Sequence, residues 1–252
     1  MRNRIVSLSV MIFIALIVSI SVLGQQTVEK KPEAGLTAEQ IIAKNIEAIG
    51  GKAALDKIKT RITKGTLEIS AQGITGTMEE YKKAPNKIVS LGVINGIGTI
   101  AEGFNGQVAW GNNPFTGLRE KSGTELASAK RDAELAGELN WKQLYKSVEL
   151  AGSEKVGDSE TYLLKFTPNE GAPLTKYYDK KSFLVVREDV VAETPQGTVP
   201  TTTYASDYRE VDGVKLPFDI RQEASGQSIH IKITEIKHNV PIDDAKFDKP
   251  AK

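Results

Sequence analysis

Apolar residues recur at two different spacings along this chain, and the spacings divide it into helical and extended parts. After Thr37, apolar residues at Ile41, Ile42, Ile46 and Ile49 follow the period of an α-helix. Thr37 opens the sequence T-A-E-Q, in which its hydroxyl caps the helix and the glutamine side chain reaches back. The pattern predicts a helix that begins after Thr37 and ends at the following Gly-Gly pair.

A second short helix is predicted over 52–58, and from Arg61 onward the apolar period changes to two, which is typical of β-strands. Asn105-Gly106 and Asp212-Gly213 are strong hairpin signals between such segments. We count about eleven strands joined by turns of two to five residues, and turns this short make neighbouring strands antiparallel. So many strands must curl or close to protect their edges. The predicted fold class is mainly β, of the α+β type.

The alternating pattern is interrupted once, in the middle of the chain. Residues 112–122 contain proline and glycine and are predicted to form a loop. Residues 125–145 then return to helical spacing, with a predicted break at Gly137. We interpret this helical insert as a lid between two sets of strands.

The N-terminus has the order of parts of a secretory signal peptide. Two arginines among the first four residues precede an uncharged, mostly apolar run over 5–23. Val22 and Gly24 fit the small positions of a cleavage site, so residues 1–24 are predicted to be removed and the protein to be exported to the periplasm. An uncleaved anchor stays an alternative, because the run nearly spans a bilayer core. Residues 25–36 are polar and are predicted to form a flexible linker.

Charge and cysteine content narrow the function. Removal of residues 1–24 leaves 31 basic and 32 acidic residues, a net charge of −1. A near-neutral chain without a basic cluster does not favour nucleic-acid binding. The sequence has no cysteine, so an exported protein of this kind depends on a hydrophobic core instead of disulfides, and it has no thiol for lipid attachment after the signal.

Neither a metal site nor a catalytic site emerges from the sequence. His230 and His238 share strand parity but would lie ~27 Å apart on a straight strand, and no further ligands accompany them. Glu188 and Asp189 are adjacent on a predicted strand, so their side chains point to opposite faces and cannot bind one substrate together. No nucleophile motif such as G-x-S-x-G is present. We therefore predict no cofactor, no metal and no enzymatic activity. A hydrolase would need a nucleophile and a base that converge.

The remaining candidate is an apolar surface. Core packing accounts for any one of the aromatic and aliphatic residues, but a sheet this wide with few helices does not fill its whole concave side, and large barrels enclose cavities. Parity and period select a set of candidate cavity residues. On strands and on the insert they are Leu67, Ile69, Met78, Ile100, Phe104, Trp110, Leu126, Leu139, Trp141, Leu164, Phe166, Val186, Phe218, Ile220 and Ile231. A register error of one residue would move a strand's whole set to the other face.

Three segments together resemble a known family. They are AKNIEAIGGKAALDKIKTRITKGT, GFNGQVAW and YREVDGVKLPFDIR, and they resemble outer membrane lipoprotein-sorting proteins of the LolA and LolB carrier superfamily. The resemblance extends over about 37–247. It implies one domain over 37–252, in which an unclosed antiparallel β-barrel wraps round N-terminal and central helices and a hydrophobic cavity takes up acyl chains.

The expected function is therefore an envelope carrier that binds lipid or lipoprotein acyl chains. Membrane contact would be transient or made through an uncleaved N-terminal segment. The chain is longer than the usual carriers, and none of their individually important residues can be matched to a position here. The alternative is a structural or interaction module, in which the protein's own helices fill the sheet and its edge or outer face holds another envelope protein.

Overall fold

The computed structural model describes residues 35–70, 72–194 and 197–251, and the predicted signal peptide lies outside this part of the chain. The described residues form thirteen strands and four α-helices. The strands are β1 (Thr60–Ile69), β2 (Ile74–Lys83), β3 (Lys87–Ile94), β4 (Gly98–Phe104), β5 (Ala109–Asn113), β6 (Gly117–Glu120), β7 (Tyr145–Val156), β8 (Ser159–Pro168), β9 (Leu174–Asp179), β10 (Val185–Thr194), β11 (Gly197–Val211), β12 (Val214–Ala224) and β13 (Gln227–His238). The helices are α1 (Ala38–Ala48), α2 (Gly51–Leu55), α3 (Gly123–Ala133) and α4 (Trp141–Leu144).

All thirteen strands belong to one antiparallel sheet. Its order is β6-β5-β4-β3-β2-β1-β13-β12-β11-β10-β9-β8-β7. Each half of the chain is a meander in which neighbours in sequence are neighbours in space. The first and last strands, β1 and β13, pair with each other and so join the two meanders. The sheet is not closed, and β6 and β7 lie at its two ends. The predicted mainly β class with antiparallel strands is confirmed.

The sheet curves round its helices. Helix α3 contacts β3, β4 and β5 in one half of the sheet and β10 in the other. Strands β3 and β10 are six places apart in the strand order, which in a flat sheet would separate them by about 29 Å, whereas a helix is only about 10 Å wide. Only a strongly curved sheet brings both strands to the same helix. The face toward the helices is therefore the concave face.

The first helix forms where the sequence predicts it. The Thr37 hydroxyl accepts a hydrogen bond from the Gln40 backbone N–H at 3.2 Å, and the Gln40 side chain accepts one from the Thr37 N–H at 2.8 Å. This capping box is confirmed. Ile41 and Ile42 are buried against β8 and β9 of the concave face. Leu36, which the sequence placed in the linker, packs against the same cluster.

The junction between α1 and α2 lies against the Asp212-Gly213 hairpin. Gly50 has a φ of 127°, and a Cβ atom there would lie 2.1 Å from the Gly213 carbonyl oxygen. The Lys215 N–H donates a hydrogen bond to the Ile49 carbonyl at 2.9 Å. This close approach explains why glycine stands between the two helices. The hairpin thus fixes both N-terminal helices on the sheet.

The convex face also carries a hydrophobic cluster, under the C-terminal segment. A short 3₁₀-helix, Asp244–Phe247, places the fully buried Phe247 ring against Val89 and Trp110. The Trp110 indole N–H donates to the Phe247 carbonyl at 3.0 Å. The sheet is therefore covered on both faces near β3, β4 and β5.

Several predicted boundaries need correction. The sheet has thirteen strands in the described residues, not about eleven, and β6 falls within the predicted loop 112–122. Strand β6 has only four residues, and they show no apolar alternation. It is a strand because its backbone pairs with that of β5. Helix α3 ends before the predicted break at Gly137, and β7 begins at Tyr145 instead of after it. Helix α2 is shorter than the predicted 52–58.

Within the described part of the chain, none of the helices combines the length and the apolar composition needed to cross a membrane.

Gly65 tests the junction of the two meanders. A Cβ atom at this position in β1 would lie 2.6 Å from the Lys232 carbonyl oxygen of β13. We expect Gly65→Ala to force β1 and β13 apart and to lower the free energy of unfolding by about 1–3 kcal/mol, as overpacking does. Urea denaturation measures the change.

Gly92→Ala is the matched control, because Gly92 also lies inside a strand but its nearest neighbours would be 3.9–4.0 Å from a new Cβ. This variant should be unchanged or more stable by up to about 1 kcal/mol. Equal stabilities for the two variants would contradict the proposed close contact.

Candidate functional site

A cleft of about 460 Å³ lies between the helices and the concave face. We call it the interior cleft. Its wall includes residues from all four helices and from strands at both sides of the β1–β13 junction. Its lining residues are Ile42, Asn45, Ile49, Leu55, Ile58, Arg61, Lys82, Arg131, Asp132, Glu134, Leu135, Gly137, Glu138, Trp141, Leu144, Tyr145, Phe166, Leu174, Lys176, Tyr178, Val185, Glu188, Tyr208, Val214, Lys215, Leu216, Pro217 and His238.

One end of the interior cleft is aromatic and aliphatic. The Tyr145 and Phe166 rings meet edge to face with centroids 4.9 Å apart. Leu174 and Tyr178 lie on the neighbouring strand β9, and Trp141 on α4 packs against the same cluster. These side chains present an apolar wall because alternate residues of β8 and β9 face the helices.

A salt bridge lies within this apolar wall. The Lys176 ammonium group is 3.4 Å from the Glu188 carboxylate and 5.7 Å from the centroid of the Phe166 ring. Burial by itself would lower the pKa of Lys176, but the carboxylate of Glu188 raises it above its usual value. Lys176 therefore stays charged, and the pair is held in place by their direct register across β9 and β10.

Tyr208 connects β11 to a bulge in β10. Its hydroxyl donates to the Val185 carbonyl at 2.7 Å, and burial raises the pKa of this tyrosine, so the hydroxyl stays protonated as a donor. In β10, Val185 and Arg187 pair with consecutive residues of β9, so Val186 is the extra residue of the bulge. The bulge brings Val185 and Glu188 to the interior cleft.

A second bulge, in β13, determines where the two histidines lie. Lys64 pairs with Glu235 and Gly65 pairs with Ile233, which leaves Thr234 as the extra residue. His230 and His238 therefore lie on opposite faces, and the shared parity predicted from the sequence is wrong. His230 bonds Asp219 on the convex face at 2.9 Å, while His238 borders the interior cleft.

His238 is nearly inaccessible. Its side chain is 1% exposed, Nδ1 lies 3.1 Å from an Asp212 carboxylate oxygen, and Nε2 is buried without a hydrogen-bond partner in the described residues. Burial and the positive charge of Arg61 lower the pKa of this imidazole, although Asp212 opposes the shift. A neutral ring that donates from Nδ1 to Asp212 presents a lone pair at Nε2.

Comparison with solved structures places this architecture. A LolA superfamily protein from Nitrosomonas europaea superimposes with a TM-score of 0.57 at 16% identity, over 85% of this chain and 99% of that one. A putative outer membrane lipoprotein-sorting protein domain from Vibrio parahaemolyticus superimposes with a TM-score of 0.53 at 13% identity, over 84% of this chain and 97% of that one. A DUF1329 family protein from Desulfovibrio piger superimposes with a TM-score of 0.56 at 19% identity, over 84% of this chain and 97% of that one.

The protein has the LolA-like fold. The resemblance noted from the sequence is thereby confirmed at the level of the fold. No protein-family model and no curated protein matches the sequence. At identities this low, the similarity concerns the fold alone. The function must therefore be argued from the cleft within the LolA-like fold.

Two of the predicted cavity residues, Trp141 and Phe166, line the interior cleft. Three others lie in the core beside it. Leu164 is fully buried near Phe166, and Leu126 packs against the cluster of Phe104 under α3. These five residues therefore share the concave side of the LolA-like fold.

A second group shares the concave face but lies farther along the sheet. Leu67 pairs with Ile231, which pairs with Ile220, so their side chains form a row across β1, β13 and β12. Ile69 lies one row beyond, and Met78 and Ile100 continue the surface across β2 and β4 through Gly92. All six are partly exposed. Ile100 lines a second pocket of about 360 Å³ near the Arg119–Glu125 ion pair.

The remaining four residues lie elsewhere. Trp110 is on the convex face under Phe247, and Val186 is the bulge residue of β10. Phe218 is buried with the Arg209 guanidinium 4.6 Å from its ring centroid. Leu139 lies in the turn between α3 and α4.

Sequence reasoning missed the polar part of the cleft wall. Arg61, Lys82 and His238 were not among the candidates because the search selected apolar residues. The pairing of β2, β1 and β13 would have shown that these three residues lie side by side. The sequence, however, does not reveal the bulge that brings His238 to this face. Among the described residues, no group of three or more His, Cys, Asp or Glu side chains is placed to hold a metal ion.

The lowered pKa of His238 predicts a loss of stability in acid. The unfolded imidazole has a pKa near 6.5, above that of the folded state, so the unfolded chain binds the extra proton first. The stabilisation is present above about pH 6.5 and is lost as the pH falls from there toward the folded pKa. We expect the wild type to lose stability relative to His238→Gln between pH 7.5 and 5, measured by urea denaturation at each pH.

Both proteins should carry His230→Gln, which removes the chain's other histidine from the comparison. A stability difference that does not vary with pH would contradict the assignment.

Proposed function

We propose that the protein is an exported envelope carrier of lipids or lipoproteins, which shields acyl chains in the interior cleft. The proposal rests on one observation: an open volume of about 460 Å³ is bordered by an apolar wall of Trp141, Tyr145, Phe166, Leu174 and Tyr178. Ligand sites commonly measure about 300–1,000 Å³ and combine apolar walls with a few polar groups. The LolA-like fold supports this function.

The apolar surface continues beyond the cleft. The row of Leu67, Ile231 and Ile220 lies on the same concave face and is only partly covered. An acyl chain longer than the interior cleft would extend along this surface. Each CH₂ group kept from water contributes about 0.8 kcal/mol, so a sixteen-carbon chain gains on the order of 10 kcal/mol before ordering costs. Binding of this kind needs no catalytic group.

The charged residues of the wall make a completely dry core unfavourable. Lys176 and Glu188 form an ion pair inside the apolar wall, and further basic and acidic side chains border the same volume. Burial of such groups without solvent or a partner is costly. A ligand with an apolar tail and a polar end matches both parts of the wall.

The edge of the sheet favours a second candidate function. Strand β7 has twelve residues and, in the described part of the chain, pairs only with β8. An exposed strand edge accepts a strand of another protein. The alternative is therefore an interaction module that holds another envelope protein at β7, with the interior cleft left empty.

The two tryptophans separate these functions. Trp141 borders the interior cleft, whereas Trp110 is buried on the convex face. We expect an acyl ligand with bromine atoms in its tail to quench Trp141, because heavy atoms quench an indole that they contact. Trp110→Phe should keep most of the quenching, and Trp141→Phe should lose it. Fluorescence titration measures both.

Lipid extraction from protein purified from its own envelope provides the complementary test. Co-purified lipid together with quenching of Trp141 supports the carrier. Quenching of neither tryptophan, with no lipid in the extract, would overturn the carrier and leave the interaction module.

A further inference from the structure

Three basic side chains lie side by side on one wall of the interior cleft. In the strand register, Lys82 of β2 pairs with Arg61 of β1, and Arg61 pairs with His238 of β13. All three border the cleft. Adjacent strands are about 4.8 Å apart, so the row spans about 10 Å. We call these residues the basic row.

Among the residues that the structure describes, Arg61 has no partner for its charge. Among the hydrogen bonds and ion pairs of residues 35–70, 72–194 and 197–251, none involves the Arg61 guanidinium, although it is only partly exposed. Lys82 donates to the Asp132 backbone carbonyl at 2.9 Å, and within the described part of the chain it forms no ion pair. A guanidinium group matches the geometry of carboxylate and phosphate, which it binds through two parallel hydrogen bonds.

His238 supplies an independent sign of an incomplete site. Its side chain is 99% buried, and Nε2 has no hydrogen-bond partner among the described residues. Buried polar atoms are nearly always hydrogen-bonded, so this nitrogen is an acceptor that lacks its usual partner. The ring borders the cleft beside Arg61. A headgroup that carries a hydroxyl, or that arrives with a proton, would satisfy this nitrogen.

The acidic residues of the cleft do not neutralise the basic row. Glu188 is paired with Lys176 at 3.4 Å, and Glu134 accepts a hydrogen bond from the Asn140 amide at 3.4 Å. Asp132 has a largely exposed side chain 4.0 Å from Arg131, so solvent screens its charge and Arg131 partly balances it. Glu138 lies on an exposed turn after α3. The wall formed by β2, β1 and β13 therefore keeps an excess of positive charge.

We propose that the basic row is a headgroup subsite and that the ligand is an amphiphile with a carboxylate or phosphate at its polar end. Arg61 binds the anion with Lys82 beside it, Nε2 of His238 accepts a hydrogen bond from a headgroup hydroxyl where the ligand carries one, and the tail follows the apolar wall toward Phe166. This inference rests on the proposed function and specifies its substrate class. The headgroup chemistry is common to fatty acids and to phospholipids with a terminal phosphate.

Competition against an apolar fluorescent probe tests the subsite at pH 8. Three competitors with the same sixteen-carbon tail are palmitate, palmitoyl lysophosphatidate and the uncharged monopalmitoylglycerol. We expect the wild type to bind at least one anionic competitor roughly ten- to hundredfold more tightly than the uncharged one, as hydrogen bonds to a charged group allow. The anion that gains more identifies the source of the headgroup, carboxylate or phosphate.

Arg61→Gln should remove most of this preference, because it should weaken binding of the anionic competitor far more than binding of monopalmitoylglycerol. The matched control is Arg221→Gln, because Arg221 lies on the convex face with its guanidinium 4.5 Å from the centroid of the Tyr204 ring. This control should keep the preference. Where Arg61→Gln fails to fold by circular dichroism, Lys82→Gln takes its place, with a smaller expected loss of the same sign.

The outcomes separate the subsite from the carrier function. Equal affinity for charged and uncharged competitors in the wild type, with the probe bound, would overturn the subsite and leave the carrier intact. An anionic preference that survives both Arg61→Gln and Lys82→Gln would also overturn the subsite. Failure to bind the probe or any competitor would overturn both proposals.

Discussion

The pairing of β1 with β13 is the interaction on which the rest of the structure depends. Each meander alone would be a sheet with two open edges, and the contact between the first and last strands merges them into one curved sheet with a single concave face. This contact joins segments far apart in sequence, so it carries a loop-closure cost, which the long β1–β13 pairing offsets although the Thr234 bulge interrupts its register once. Gly65 permits the close approach at its centre, where the Lys232 carbonyl leaves no room for a side chain. Both walls of the interior cleft exist because the two halves meet here.

The same pairing distributes the chemistry of the cleft. The extra residue in β13, Thr234, reverses the alternation of the strand, so His230 faces the convex side with Asp219 while His238 faces the helices next to Arg61. A comparable bulge at Val186 brings Val185 and Glu188 to the cleft from β10. Bulges that redirect side chains are common beside functional sites. In this sheet two of them assemble the polar part of the wall.

Local signals in the sequence predicted local structure well. The Thr37 capping box, the Gly-Gly end of α1 and the Asp212-Gly213 turn each depend on a few neighbouring residues, and each forms as expected. Strand β6 and the two bulges were missed because backbone pairing with a distant strand produces them. Trp110 was predicted to face the cavity, and it is buried, but on the convex face under the C-terminal segment. Where both faces of a strand are covered, the apolar period does not show which face a residue occupies. The polar wall was missed because a search for apolar residues cannot reveal where cations converge.

The charged wall bears on why the cleft stays open at all. If the helices closed onto the sheet, Arg61 would lose solvent without gaining a carboxylate, and the Nε2 atom of His238 would stay without a hydrogen bond. The cost of such burial opposes collapse more strongly than an apolar lining would, since apolar side chains gain by meeting. On the other side Phe166 and Leu174 are already only 3% and 5% exposed, so a guest would gain mainly by keeping its own tail from water. The proposed amphiphile would satisfy both demands at once, with its tail on Phe166 and Leu174 and its polar end on Arg61 and Lys82.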